Sequence, residues 1–557
     1  MAKYTLGIDF GSLSGRAVLV DVKDGREVAS VVMDYPHAVM DRELCDYGIR
    51  LPADFALQHP QDYLDVLSYV IPNTLREGGV DKKDVIGVCI DFTTCTVLPV
   101  KKDLTPLCFS PEFEKNPHAY VKLWKHHAAQ PYADRYTARA EERKEPWLPR
   151  FGGKISSEWL FPKIWETLDK APEVYDAADA IIDAADWMTA MLTGKITRSY
   201  PFAAYKGEYV EADGGWPSED FLGSLDARLR TVVKDKLYGK IVYVGEKVGE
   251  VTKEAAERFG LCEGTAVACP VPDAHVAATG MKQLQAGDMF GILGTSACYM
   301  LIDKVDVIVP GTCGTVKDGL TPGFYGYESG LCCMGDHFAW LCNNAVTPAY
   351  VKEAEEKGLP MIRLLCEKAA KQKPGAHGLI ALNWWNGNRN ILVDSALSGM
   401  FVGMNLSTKP EDMLRALIEA TAYGTRTIIE NYRRHGVEVK SFKAGGGIAR
   451  KDPFTMQIFA DVLKMDIAVA ESKQIPAMSS GIYAAIAAGE SAGGYADFAT
   501  AAEAMGSPVH TVYKPNPEAS AVYDQLYAEY MTLHDYFGRG GNNVMKKLRA
   551  IREAQEG

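Results

Sequence analysis

Tyr4-Thr5-Leu6-Gly7-Ile8-Asp9-Phe10-Gly11-Ser12, running into Ser14-Gly15-Arg16-Ala17-Val18-Leu19-Val20-Asp21, is an apolar strand, a small-residue turn and a second apolar strand ending in Asp. The same pattern recurs far downstream. Met289-Phe290-Gly291-Ile292-Leu293-Gly294-Thr295-Ser296-Ala297 is followed by Cys298-Tyr299-Met300-Leu301-Ile302-Asp303. Glycine lets backbone approach a ligand closely, and successive turn N–H groups make a concavity suited to an anion. A single Gly-Ser turn joins strands in many proteins. Two matched hairpins, one near the start of each half, point to a duplicated α/β architecture that handles phosphate.

The remaining pattern agrees with two similar α/β halves. Strands are expected at 4–9, 16–21, 86–91 and 96–100, and helices at 62–76, 158–169 and 183–192, the last stopped by Gly194. Short strands and turns at 241–272 suggest a boundary, placing an N-terminal domain at 1–260 and a C-terminal domain at 261–557. The second half restarts with a strand near 322–328, a long helix at about 410–433 and a small-residue helix at 479–488. The stretch from 540 reads as a surface helix.

The 557 residues are 47% hydrophobic, enough for more than one core, and the formal charge is -12. No Lys/Arg-dense tract offers a nucleic-acid surface. No apolar run of about 18 residues predicts a membrane span, and no secretory leader is expected. The twelve Cys are scattered without a CxxC pair, which predicts reduced thiols and a cytoplasmic protein. A homodimer is compatible with these features.

Several residues stand where chemistry is expected. Asp9 ends a strand directly before Gly11 and Ser12. A carboxylate beside a phosphate turn is reasonable when Mg²⁺ lies between them, through water; otherwise Asp9 only starts the turn. Gly294, Thr295 and Ser296 form the matching turn. Gly445, Gly446 and Gly447 precede a helix and would let a flat ring lie on the backbone. Asp273 follows Pro270-Val271-Pro272 and either caps the helix of "AHVAATG" or accepts a hydroxyl proton. Lys206 lies in an aromatic-rich segment read as irregular, and Glu328 follows Tyr325-Gly326-Tyr327. Asp91-Phe92-Thr93-Thr94-Cys95 is a further strand end. His126 and His127 read as part of a basic helix without metal partners.

These residues together resemble the FGGY carbohydrate kinases. Lys163-Ile164-Trp165 is similar to the end of that family's first signature. Gly399-Met400-Phe401-Val402-Gly403-Met404, leading into "MLRALIEATAYGTR", is similar to the second. "AYVKLWKHHAAQPYAD", "FGGKISSEWLFPKIWE" and "ALNWWNGNRNILVDSALSGMFVGMNL" resemble the members acting on L-ribulose. The resemblance runs from about residue 4 to residue 530. It implies two actin-like ATPase (ribonuclease-H-like) domains with a deep interdomain cleft, and ATP and Mg²⁺ as cofactors. The implied reaction is phosphorylation of the 5-hydroxyl of L-ribulose in L-arabinose catabolism; the alternatives are another ketopentose or pentitol, or a non-catalytic ATP clamp. By the same resemblance Asp273 is the catalytic base, and Cys95 (through its backbone), Lys206 and Glu328 contact the sugar. Asp9 serves Mg²⁺, Gly11, Ser12, Gly294, Thr295 and Ser296 the phosphates, and Gly445, Gly446 and Gly447 the adenine side. The chain departs at Asp452, where related kinases generally carry Asn. Asp accepts hydrogen bonds but cannot donate them when ionised, which puts nucleotide preference in question.

Overall fold

The structure, a computed structural model, describes residues 2–556. Strand β1 (Tyr4–Phe10) is buried along nearly its whole length, as expected for a central strand covered on both faces. It pairs antiparallel with β2 (Ser14–Asp21), with Asp9 opposite Arg16. β3 (Glu27–Asp34) pairs antiparallel with β2 at the edge, and most of its residues stay partly open to solvent. Helix α1 (Pro60–Gly78) begins with Pro in its first turn and stops at Gly79, whose φ of 62° suits glycine.

β4 (Val85–Phe92) then runs parallel to β1, setting Asp9 level with Asp91 and Phe10 level with Phe92. The Phe10 and Phe92 rings stack at 4.9 Å, and Tyr63 meets each edge-on at 5.7 and 5.0 Å. This aromatic wedge lies within the core built by Leu6, Ile8, Val88 and Ile90.

Beyond it, β5 (Val97–Val100) pairs with β6 (Ala180–Asp183) over a second core rich in aromatic side chains. Helices α2 (Leu160–Lys170), α3 (Ala184–Thr193) and α4 (Tyr200–Lys206) follow the expected order. The segment around Lys206 is therefore a helix and not irregular, and Tyr200, Phe202 and Tyr205 bury its aromatic positions. β7 (Lys247–Glu250) and β8 (Ala266–Ala268) complete the sheet in the order β7-β8-β4-β1-β2-β3, and β9 (Val271–Pro272) pairs with the end of β4.

The second half repeats the plan. β10 (Asp288–Leu293) and β11 (Ala297–Asp303) form the hairpin, β12 (Tyr325–Leu331) flanks β11, and helix α5 (Gly335–Asn344) follows. Helix α6 (Pro410–Arg434) leads to β13 (Ser441–Gly445), which runs parallel to β10 as β4 does to β1. Helices α7 (Gly447–Lys451) and α8 (Pro453–Leu463) and strand β14 (Ile467–Ala470) continue it. After α9 (Ile475–Ala488), β15 (Val509–Tyr513) closes the edge of this sheet, and α10 (Pro517–Gly538) and α11 (Val544–Glu556) end the described chain.

The two compact units interleave instead of dividing once at 260. One comprises residues 1–284, 314–326 and 474–507; the other comprises 285–313, 327–473 and 508–557. The physical reason is α9, whose small residues let it lie against β1 and β4. A Cβ on Gly7 would overlap the Ala477 carbonyl, and one on Gly87 would stand 2.5 Å from the Ala484 carbonyl. No helix among the described residues is long and apolar enough to cross a membrane.

Candidate active site

Register places three carboxylates at one end of the first sheet. Asp9 and Asp91 are level on neighbouring parallel strands, and β9 brings Pro272 level with Phe92. The Asp273 N–H donates to the Phe92 carbonyl at 2.9 Å, so Asp273 begins where β4 ends. Its carboxylate accepts the Ala274 N–H at 2.7 Å, and the short helix of Ala277–Gly280 starts after Val276 with no side-chain cap. Asp273 is therefore not the N-cap that one reading of the sequence allowed.

Asp9 and Asp91 are buried, and burial raises the pKa of each. Arg16, 3.3 Å from Asp9 Oδ2, opposes the rise at Asp9. Asp91 is pushed well above the usual carboxylate range by burial, then by the charges of Asp9 and Asp273. Ser480 donates to Asp91 Oδ2 at 2.6 Å. Asp91 Oδ1 is buried without a hydrogen-bond partner, and the Asp91 carboxyl interacts with that of Asp9. Crowded acids with one guanidinium at 3.3 Å are a donor set that suits a hard cation such as Mg²⁺. The sequence marks Asp91 only as a strand end, because strand register is not visible in a single chain.

In both hairpins the first glycine serves the shape of the turn. Gly11 N–H donates to the Ser14 carbonyl and Gly294 N–H to the Ser296 carbonyl, each at 3.0 Å. Those two amides are committed inside the turns, which narrows the expected phosphate donors to the rest of each turn. The first turn is further braced: Tyr35 Oη donates to the Gly11 carbonyl at 3.0 Å and Gln58 Nε2 to the Ser12 carbonyl at 2.8 Å. Trp124 Nε1 donates to Ser12 Oγ at 3.0 Å. In the second turn the Gly294 and Thr295 carbonyls accept the Gly335 and Met334 N–H groups at 3.0 and 2.9 Å, tying it to the start of α5.

The glycine run lies on the strand next to this second turn, since Gly445 is level with Ile292. Gly446 has φ 93°, and a Cβ there would come within 2.6 Å of the Leu293 carbonyl. Gly294 and Gly447 instead face open space: a Cβ added to either would meet nothing within 4 Å. Backbone open on that side, beside a turn of hydroxyls, fits a nucleotide. Asp452 is engaged with the helix that follows it. Its carboxylate accepts the Phe454 and Thr455 N–H groups at 3.2 and 3.3 Å and the Thr455 hydroxyl at 2.6 Å, capping α8.

Cys95 and Lys206 meet in the first unit, where the Cys95 thiol lies 3.6 Å from the Lys206 carbonyl. Cys95 has φ 52°, and its carbonyl accepts from Lys163 Nζ at 2.6 Å. Lys163 Nζ also donates to the Leu123 carbonyl at 2.9 Å, which explains why a lysine of the signature is buried. The Lys206 ammonium lies 5.4 Å from the centre of the Trp159 ring. Glu208 is fully buried, and neither of its oxygens is hydrogen-bonded. Burial pushes its pKa well above normal, with Lys206 opposing. Glu328 is buried on β12 in the second unit, and its carbonyl accepts the Cys313 N–H at 2.8 Å.

His126 is not on a basic helix. Lys122 belongs to a two-residue strand, and His126 is wholly buried with Nε2 2.9 Å from Glu166 Oε2. Lys122 Nζ donates to the same oxygen at 2.6 Å. A buried acid that pairs with both groups turns this segment inward, which a run of Lys and His does not reveal.

Two sheets, each centred on a hairpin with a strand running parallel beside it, and each bearing a glycine-hydroxyl turn, define an actin-like ATPase fold. Solved structures agree: xylulose kinase from Lactobacillus acidophilus has a TM-score of 0.77 at 18% identity, covering 97% of this chain and 99% of that one. Glycerol kinase from Plasmodium falciparum has 0.72 at 15%, covering 95% and 98%. Residues 4–280 match the N-terminal domain of the FGGY family of carbohydrate kinases and residues 289–488 its C-terminal domain. The chain belongs to that family. It is 50% identical to a ribulokinase of Bacillus licheniformis, covering 98% of each chain. It is 48% identical to one of Halalkalibacterium halodurans, covering 99% of this chain and 98% of that one.

Proposed function

We propose that this protein transfers the γ-phosphoryl group of ATP to the 5-hydroxyl of L-ribulose, giving L-ribulose 5-phosphate in L-arabinose breakdown in the cytoplasm. The observation that carries the chemistry is Asp273, fixed at the end of β4 beside the Asp9–Asp91 pair. The choice of sugar rests on full-length likeness to proteins named ribulokinase.

Asp273 accepts the proton of the attacking hydroxyl. Lys206, Glu328 and the Cys95 carbonyl hold the remaining hydroxyls, and the Lys163 ammonium fixes the direction of that carbonyl. Ser12, Thr295 and Ser296 take the phosphates through turn groups not used to close the hairpins, and Gly11 and Gly294 serve them by shaping those turns. Gly445, Gly446 and Gly447 support the base. Asp9, level with Asp91 on the neighbouring strand, would hold Mg²⁺ through water, and the bound ion would supply charge neutralisation at the phosphates. A loose phosphoryl-transfer transition state needs positioning and charge more than covalent chemistry, in keeping with so few reactive side chains.

General-base catalysis contributes about 10²–10⁴-fold. Asp273→Asn is expected to lower turnover by about that factor while ATP binding persists. A coupled ADP assay over L-ribulose, D-ribulose, D-xylulose and ribitol measures both the variant and the preference. Near-normal turnover of the variant removes Asp273 from the role, and a preference for xylulose over both ribuloses removes the substrate.

A further inference from the structure

Outside the sugar and nucleotide residues, the loop between β3 and α1 gathers ligand-type side chains. Among the described residues, His37, Asp46 and His59 place their donor atoms within 4.8 Å of one another. His37 Nε2 is 3.5 Å from Asp46 Oδ1, and His59 Nε2 is 4.0 Å from Asp46 Oδ2. Tetrahedral zinc with bonds of about 2.0–2.2 Å keeps its ligands roughly 3.4 Å apart. The His37–Asp46 edge already has that length; His59 approaches the other Asp46 oxygen, and with all three donor atoms within 4.8 Å of one another, side-chain rotation must close the remaining edges.

His37 is also oriented from behind. Its Nδ1 is 2.6 Å from Asp62 Oδ1, and Asp62 is fully buried. A carboxylate on Nδ1 fixes the proton there and leaves Nε2 with its lone pair outward, the usual support for a metal-bound imidazole. The Asp62 carboxylate accepts the His37 N–H as well, at 3.2 Å, so backbone and ring are held together. His59 differs: its Nδ1 accepts the Gln61 N–H at 3.2 Å as the N-cap of α1. Ligation through Nε2 moves the ring proton to Nδ1 and releases that cap, so binding is coupled to the first turn of α1.

We propose that His37, Asp46 and His59 form a site for one divalent transition-metal cation of the zinc type, with water completing the shell. Two nitrogens and one oxygen suit Zn²⁺ better than the all-oxygen cations Mg²⁺ and Ca²⁺. The site joins the two ends of one loop. Tyr35 and Gln58, which brace the Gly11 and Ser12 carbonyls, are two residues before His37 and one before His59. A bound ion would clamp both braces of that turn, apart from any Mg²⁺ that accompanies ATP.

The test uses the full-length chain, freed of metal by chelation, with Zn²⁺ added against a chromophoric chelator. The expected result is one Zn²⁺ per chain, with affinity reduced at least about tenfold in His37→Ala and in Asp46→Asn. Asp46 is about half exposed, so the Asn variant keeps the fold and decides the matter if His37→Ala does not. Cys45 adjoins the site and is exposed; Cys45→Ser should bind as the parent does. Zn²⁺ should also raise the melting temperature of the parent but not of Asp46→Asn. Equal binding by the parent and Asp46→Asn, or loss of binding in Cys45→Ser alone, overturns the proposal.

Discussion

Replacing Gly446 by Ala tests whether the glycine run serves the nucleotide. The residue has φ 93° and ψ 173°, a region essentially confined to glycine that costs an L-residue roughly 1–3 kcal/mol. The new Cβ would also lie 2.6 Å from the Leu293 carbonyl oxygen and 3.0 Å from its nitrogen. Both are backbone atoms of the neighbouring strand, and overpacking of that kind adds about 1–3 kcal/mol. The sum, roughly 2–6 kcal/mol, is most easily relieved by shifting the turn between β13 and α7. If ATP needs the original turn, its dissociation constant rises by about 30-fold or more, at 1.4 kcal/mol per factor of ten. Gly447→Ala is the companion, because its Cβ meets nothing within 4 Å and strains nothing in the protein alone. Titration calorimetry with a non-hydrolysable ATP analogue, alongside melting curves, reads both variants. Gly446→Ala should lose affinity and some stability; Gly447→Ala should lose affinity at unchanged stability if the nucleotide uses that space, which no protein atom fills. Parent-like ATP affinity in both variants would refute the placement of the nucleotide.

Other changes probe the surrounding network. Glu166→Gln leaves the buried Lys122 ammonium without its counter-ion, and is expected to cost about 3–5 kcal/mol, seen as an earlier transition in urea. Asp9→Asn should raise the Mg²⁺ concentration for half-maximal activity about 10–100-fold, as expected of a ligand acting through water, with sugar affinity unchanged; an unchanged Mg²⁺ requirement would reassign Asp9. Asp186 is fully enclosed, and burial raises its pKa to about 7, against Arg198 and the Ser199 N–H, which lower it. A raised carboxyl pKa stabilises the fold relative to an ionised acid only at low pH, and that contribution fades as pH rises from about 4 through 7. Asp186→Asn stays neutral and keeps the acceptor for Ser199, so its stability relative to the parent should climb across that range. A difference that is flat from pH 4 to 8 would contradict the buried-acid account.

Much of the architecture was legible in the chain because it is local. The two hairpins, the Gly194 stop and the long helix at 410–434 follow from apolar spacing and turn residues. What escaped depends on contacts between distant segments. The partnership of Asp9 with Asp91 needs strand register, and the support from Ser480 comes from a helix almost 400 positions later. Lys122 and His126 look solvent-exposed until Glu166 is placed beside them. The Pro-stiffened flank singles out Asp273 in the sequence, but that it does not cap the following helix follows only from geometry. Asp452, suspected of altering nucleotide preference, spends its acceptors on the first turn of α8.

The return of α9 to the first unit has a consequence for how the chain is made. Strands β1 and β4 leave the ribosome early, yet the helix that covers them through Gly7 and Gly87 ends only at residue 488. At roughly 5–20 residues per second, about 20–80 s separate synthesis of the strands from arrival of their cover. During that interval an apolar sheet face, including the strand that carries Asp9, stands open. The nascent protein must wait for its own distant segment, or be shielded by a chaperone, before the carboxylate end of the sheet can take shape.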